Sequence, residues 1–442
     1  MDPSISPPSN CLFRVIVVGG GVAGLTASHC LQRAGIDHVV LERHREIAPA
    51  IGSSIGLYPH ASRILHQLGC LEDIEAEHTP CKRWLHKKAN GSTIFADEFF
   101  KRLRQSHGKD MIVLERRRAL QILYDHLPNK TPIRTGSRVK SIVHSDEGVE
   151  VILDDGSSEK GDMIIGCDGV HSVVRQQMWD IANMERPGYI KSKERSSIKA
   201  TWKCLNGFGP LQPGMAELAG TSVSSTRQSF LGLSQPDRAF WFFFFKLDES
   251  LPIEDAYYTE KEAEALAATV ADVPVGENLK FGQIWETRTR GSLVSVEEGV
   301  LEHWHYGRIV LAGDSVHKFT PQIGMGANAA IEAIAVICNK LQAALVRNEG
   351  KRLSVRDLGG LFSEYQEERS SRMAFISVMS TCFSRMEAWT SWPYKVLSTW
   401  VFPYVPDWML EKVIGSLIQA SPKIAYIDEI GFPAGTRPWK HA

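Results

Sequence analysis

The residues best placed to do chemistry begin with Gly19-x-Gly21-x-x-Gly24, which is followed 18 residues on by Glu42. An apolar run at residues 12–18 precedes the glycines, and a helical pattern at residues 25–34 follows, closed by Gly35 as a stop signal. A second apolar run at residues 39–41 ends at Glu42, which completes a βαβ unit. In such a unit the first glycine permits a tight turn. The second lets a pyrophosphate approach the backbone, and the third brings helix and strand together. The helix N-terminus offers free N–H groups to the phosphates. A carboxylate at Glu42 accepts hydrogen bonds from an adenosine ribose and repels a 2′-phosphate, so this fold is expected not to hold NADP. The segment predicts a bound dinucleotide.

The glycines do not distinguish NAD from FAD, but two later segments do. Residues 161–175 give an apolar strand that ends in Asp168-Gly169 and then a helix start. Residues 307–330 give a strand, then Gly313-Asp314, then Pro321 and the small-residue run Gly324-Met325-Gly326-Ala327-Asn328-Ala329-Ala330. A carboxylate at Asp314 suits the hydroxyls of a ribityl chain, and the glycines beyond it expose a second helix N-terminus. NAD has no ribityl chain and would not need this second apparatus. FAD is therefore the expected cofactor.

The elements that position these residues read as an α/β chain. A Rossmann-like FAD-binding domain is expected at 12–80, 115–180 and 295–360, after a polar, proline-rich tail at 1–11. A mainly antiparallel β-sheet substrate domain is inserted at 81–114 and 185–294, and a helical C-terminal region covers 361–442. Alternation over residues 142–153 and the turn Asp154-Asp155-Gly156-Ser157 predict an antiparallel hairpin. The aromatic run Trp241-Phe242-Phe243-Phe244-Phe245 predicts a strand whose alternate side chains line an apolar cavity. Residues 284–288 read as another strand, 120–127 as a helix, 308–312 as a parallel strand, and the residues after Gly326 as a long helix.

Composition narrows the function classes. Of 442 residues, 50 are basic and 51 acidic, so nothing favours nucleic acid or a strong pull toward anionic membranes. Eight cysteines without a Cys-x-x-Cys predict no disulfide framework and a reducing, cytoplasmic setting. His303-Trp304-His305 has no carboxylate or cysteine at ligand-like spacing, so no metal site is expected. No secretory leader is legible, nor an uninterrupted run of about 18 apolar residues. Trp389, Trp392, Tyr394, Trp400, Phe402, Tyr404 and Trp408 crowd one stretch broken by Pro393, Pro403 and Pro406. This stretch reads either as helices capping the core or as a patch giving peripheral membrane contact.

The glycine motif, Asp168-Gly169 and Gly313-Asp314, in this order, resemble the single-component, group A (aromatic-hydroxylase-like) FAD-dependent monooxygenases over about residues 12–360. A narrower resemblance is to fungal paxilline-type epoxidases of indole diterpenes and meroterpenoids. It is carried by Gly35-Ile36-Asp37-His38-Val39-Val40-Leu41-Glu42, Gly169-Val170-His171-Ser172 and Gly313-Asp314-Ser315-Val316-His317-Lys318. The resemblance implies NAD(P)H as a transient reductant and O2 as co-substrate. It implies oxygen transfer from a flavin C4a-hydroperoxide to an apolar terpenoid-type substrate, as epoxidation of a prenyl-derived alkene in secondary metabolism. It also implies that Asp314 binds the ribityl chain, that the backbone at Ala327 faces the isoalloxazine, and that Arg116 contacts flavin, with Arg117 one register step away. Gly56 falls in the matching loop after the second strand.

The chain departs from the family pattern at four places. Glu332-Ala333 stands for a Glu-Asp pair, Met325 for a frequent glutamine, and Trp202 for a frequent tyrosine, and no hydrophobic tail anchor stands before Ala442. Trp202 is the candidate for a direct catalytic role, with core packing as its other reading. The competing functions are FAD-dependent hydroxylation of an aromatic or alkaloid substrate, a catalytically silent flavin-binding protein, and an NAD-dependent dehydrogenase, which would lack the second and third motifs.

Overall fold

The computed structural model describes residues 13–441, so the expected tail at 1–11 lies outside the described residues. A six-stranded sheet runs His305–Tyr306, Ile309–Leu311, Met163–Gly166, Arg14–Val18, Asp37–Leu41, Ile133–Arg134. Its neighbours are parallel except for the first pair. Val15, Ile16, Val17, Ile164 and Ile165 are fully buried, because helices cover both faces of such a sheet. Helix Val22–Arg33 packs on it through Leu25, Ala27 and Leu31, and Gly35, at φ 67°, ends the helix turn as its sequence position predicts.

The inserted layer is an eight-stranded sheet. Its order is His317–Lys318, Arg290–Val300, Lys199–Pro210, Arg238–Leu251, Gln228–Ser234, Ala219–Ser225, Arg83–Lys88, Thr93–Asp97. Every pair is antiparallel except 219–225 with 83–88. Alternation along 238–251 divides the aromatic run between two environments. Trp241, Phe243 and Phe245 enter one core with helices Glu260–Thr269 and Phe281–Glu286, while Phe242 and Phe244 face the other way. The expected strand at 284–288 is therefore corrected to part of a helix. Phe281, Ile284 and Trp285 are its buried residues, a spacing of three and four that suits a helix face rather than a pleat. Residues 142–153 do form antiparallel strands, Val139–His144 and Val149–Leu153, and Ser158–Gly161 extends them to a three-stranded sheet around the expected turn.

Helix Gly326–Arg347 runs through the centre of the molecule. It is long enough, with a mean hydropathy of 1.6, to cross a membrane by composition, yet 67% of that window is buried inside the protein. Glu332 fixes it as a core helix. Fully buried, Glu332 meets Arg369 at 2.6 Å and Arg372 at 2.6 Å, both from helix Val355–Glu387. Burial opposes charge on this carboxyl, but the guanidinium groups of Arg372 and Arg369 hold its pKa well below the usual range. Beyond Glu387 come short helical turns and helix Asp407–Gln419. The C-terminal region is largely helical as expected, and its last stretch, residues 420–441, carries no helix. They are held by side-chain contacts instead, including Arg63 on Glu429 and Tyr426 on the carbonyl of Cys30.

Candidate active site

Two adjoining cavities lie beyond the C-terminal ends of the parallel strands, where ligands of such sheets bind. One, of about 260 Å3, is bordered by Gly19, Gly21, Glu42, Arg116 and Asp168. The other, of about 400 Å3, is bordered by Gly56, Arg116, Asp314, Gly326 and Ala327. Gly21, Arg116, Cys167 and Gly169 border both, so the two form one cleft.

At the first lobe the backbone is shaped by contacts that no side chain could share. Gly19 has φ 104°, and a Cβ there would lie 2.4 Å from the carbonyl oxygen of Cys167. A Cβ at Gly24 would lie 1.8 Å from the carbonyl oxygen of Gly19, whereas one at Gly21 would meet nothing within 4 Å. The middle glycine thus faces open space where a pyrophosphate can approach. Glu42 accepts the Gly20 N–H at 2.6 Å through Oε2 and the His44 N–H at 2.8 Å through Oε1. It braces the glycine loop, and each oxygen keeps a second acceptor site for a ribose hydroxyl.

Helix ends supply the cleft's anion sites. Helices Val22–Arg33 and Gly326–Arg347 both begin at this cleft without a side-chain cap and without an acid in the first turn. Their first N–H groups have no intrahelical partner and the dipole adds positive potential. Helix Val173–Glu185, by contrast, is capped twice. Ser172 Oγ accepts from Arg175 N at 2.9 Å, and Asp168 Oδ2 from Val174 N at 3.1 Å. Asp168 therefore orders its own loop as well as lining the cleft. Burial pushes its carboxyl above the usual range, against the hydrogen bonds from Ser172 and Val174.

In the second lobe Asp314 pairs with Lys318, and both border the cavity. Arg116 is the first residue of helix Arg116–Asp125, which begins earlier than the expected 120–127. It borders both lobes, whereas Arg117 Nε donates to the Ala48 carbonyl at 3.1 Å, so the arginine of the site is Arg116. Burial lowers the Arg116 pKa, and Asp314 and Glu42 act to raise it.

Several residues that hold the cleft together were not singled out by sequence. Asn328 Nδ2 donates to the carbonyls of Gly56, at 2.9 Å, and Gly324, at 2.7 Å, while its Oδ1 accepts from Tyr58 N at 2.8 Å. Tyr58 Oη donates to the Ile323 carbonyl at 3.0 Å. Together they tie strand Ser54–Leu57 to the loop before the long helix. Arg175 ties the Asp168 loop to the Asp314 loop, donating to Val170 O at 2.7 Å and Ser315 O at 3.1 Å. The available signal was a polar residue, Asn328, set among glycines and alanines.

Trp202 is not among the cleft's bordering residues. It is fully buried beside a bulge in its strand, its Nε1 donates to Glu298 Oε1 at 2.7 Å, and Glu298 pairs with Arg385 of helix Val355–Glu387 at 3.1 Å. That placement favours the packing reading of Trp202, between sheet and helix, over the catalytic one. Near His303 the structure does bring carboxylates together: ligand atoms of Glu194, Glu302 and His303 lie within 4.8 Å of one another. Glu194 already accepts from the His303 N–H at 2.7 Å and pairs with its Nδ1 at 2.6 Å.

An unobstructed glycine turn, two uncapped helix ends and the Asp314 carboxylate on the cavity wall fit FAD. These features define a flavoprotein of the dinucleotide-fold class. A family model described as "FAD binding domain" matches residues 13–374. The FAD-dependent monooxygenase DEP2 of Alternaria brassicicola is 36% identical over 94% of this chain and 79% of its own length. The FAD-dependent monooxygenase ptmM of Penicillium ochrochloron is 37% identical over 85% of this chain and 89% of its own. In fold, the chain resembles Klebsiella pneumoniae HpxO complexed with FAD and uric acid, at TM-score 0.73 and 20% identity, covering 93% of this chain and 97% of that one. The chain belongs to the FAD-dependent monooxygenases of the FAD binding domain family, and its cofactor is FAD.

Proposed function

We propose that the protein takes two electrons from NAD(P)H and transfers one oxygen atom of O2 to an apolar, terpenoid-type substrate, epoxidising a prenyl-derived alkene in fungal secondary metabolism. The observation that carries this reading is the far wall of the second lobe. Trp84, Met111, Leu231, Leu233, Phe242 and Val296 border the same cavity as Asp314 and Ala327. A hydrocarbon buried there gains roughly 25 cal/mol for each Å2 removed from water.

Bound FAD supplies the electron transfer and the activation of O2. The chain's residues do the rest. Gly21 and the start of helix Val22–Arg33 receive the pyrophosphate, Glu42 the ribose, Asp314 the ribityl hydroxyls, and the amides near Ala327 the ring edge. Asn328 and Tyr58 hold the walls of the lobe in register, and the apolar face keeps water away. In balance, the alkene's π bond gives way to two C–O bonds with one oxygen atom. The other leaves as water with the hydride of NAD(P)H and a proton.

The test is incubation of the FAD-loaded protein with NADPH, 18O2 and a farnesylated or geranylgeranylated indole. A product heavier by one 18O atom, which acid converts to a diol by water uptake, supports epoxidation. A product heavier by one 18O on the ring supports the hydroxylase reading instead, and flavin reduction with no labelled product contradicts both.

The aromatic C-terminal segment supports a peripheral membrane setting on the cytoplasmic side. Trp392, Trp400, Tyr404 and Trp408 are 76%, 69%, 77% and 60% exposed. Such amphipathic rings favour the membrane interface. From this segment Phe402 packs on His86 at 6.4 Å and Phe95 at 5.8 Å, and His86 stacks on Trp84, a wall of the cavity. An apolar substrate would therefore have an aromatic seam to follow. Flotation of the protein with phosphatidylcholine vesicles, lost when Trp392, Trp400, Tyr404 and Trp408 are replaced by serine, is the expected result. Equal flotation of both proteins, or none of the wild type, removes the proposal.

A further inference from the structure

One charged side chain on the cavity wall has no place in the cofactor contacts named so far. Lys318 lies four residues beyond Asp314, in a two-residue strand paired with Arg290–Val300 through Gly299. Its ammonium pairs with the Asp314 carboxylate, and the two side chains keep 25% and 34% of their surface exposed. Both residues border the second lobe and Lys318 lies deep in the protein, so that surface opens into the cavity. A Cβ built on Gly326 would stand 4.0 Å from Asp314 Oδ1, which sets the pair beside the uncapped end of the long helix.

We propose that Lys318 is an electrostatic residue of the flavin site, whose ammonium stabilises the negative charge that the isoalloxazine acquires on reduction. The proposal rests on the assignment of this cleft to FAD. Two-electron reduction with uptake of one proton leaves one negative charge on the ring. An ammonium close to the ring lowers the energy of that charge, the more so where water is excluded. The charged residues bordering this lobe are Arg116, Lys318 and Asp314. Removing Lys318 changes their sum from positive to neutral and leaves Asp314 without its ammonium beside the cofactor. Burial lowers the Lys318 pKa, but Asp314 and Glu297 raise it above the ordinary lysine value, so the side chain carries its charge.

The test uses FAD-loaded wild type, Lys318→Met and Lys318→Arg, with sulfite as the probe. Sulfite's lone pair forms a bond to flavin N5, and the displaced electron pair places a negative charge in the pyrimidine ring, as reduction does. The predicted outcome is that Lys318→Met weakens sulfite binding about tenfold, while Lys318→Arg stays close to wild type. The same tenfold factor in the reduction equilibrium lowers the two-electron potential by about 30 mV. Thermal unfolding and FAD content are read alongside, and both should remain near wild type. Sulfite affinity and potential unchanged in Lys318→Met overturn the proposal. So does a Lys318→Met protein that no longer retains FAD, which would make the lysine a positioning residue for Asp314. Wild type that takes up no FAD contradicts the cofactor assignment itself, a separate failure.

Discussion

At the scale of single residues, the cleft depends on a few side chains that hold backbone rather than touch substrate. Asn328 makes three hydrogen bonds that join two walls of the second lobe. Asn328→Leu takes the side-chain partner from three backbone groups, one buried and two half-buried, each costing about 1 kcal/mol when left without a partner. The expected loss is on the order of 3 kcal/mol in denaturant unfolding, with faster release of flavin followed by its fluorescence. An unchanged release rate would mean that the clamp does not act on the cofactor. Glu42→Ala deprives the Gly20 N–H of its acceptor and should lower stability by roughly 1–3 kcal/mol and weaken FAD binding. Glu42→Gln, which keeps an acceptor oxygen, should recover part of both. Glu42, Asp314 and Gly21 were legible in the sequence because a local motif fixes each of them. Asn328, Tyr58 and Arg175 were not, since their partners lie 270, 265 and 140 residues away. Between the two readings of Trp202, packing and catalysis, local sequence could not choose, because its indole N–H is spent on Glu298, a contact across 96 positions.

At the scale of elements, the glycine turn and the two uncapped helices meet at the cleft and are the parts proposed to hold the cofactor. Gly24→Ala would place a methyl group 1.8 Å from the Gly19 carbonyl oxygen, an overlap that only a backbone shift can relieve. The expected result is a folded protein by circular dichroism that purifies without the yellow of bound FAD. Retention of the full flavin complement would show that the loop tolerates the shift. Strand and helix identities were legible where the apolar pattern was clean, as in the run that forms Arg14–Val18 and in the long helix after Gly326. Residues 284–288 misled because a five-residue window of mixed polarity fits either period. Phe281, outside that window, is what reveals the spacing of three and four. The small strands 83–88 and 93–97 join the inserted sheet through residues 219–225, a pairing no local signal announces.

At the scale of the whole molecule, buried neutral imidazoles make stability depend on acid. Burial lowers the pKa of His29, His305 and His317 to about 4 and that of His60 to about 3, from 6.5 when exposed. Below pH 6.5 the unfolded chain takes up protons that the folded chain refuses, so stability falls until the folded pKa values are reached. Each such group contributes about 1.4 kcal/mol per pH unit across that window. The unfolding midpoint should therefore drop steadily from about pH 6.5 toward 4 and change little between 7 and 8. A midpoint flat across the acid range would show that these histidines are solvated. The central claim, that this cleft is an FAD site, is tested most directly by titrating flavin-free protein with FAD and following the visible spectrum. The account predicts tight uptake of one FAD per chain with the yellow, structured band of a protein-held flavin. Absence of any spectral change at saturating FAD, in a protein shown to be folded, would contradict it.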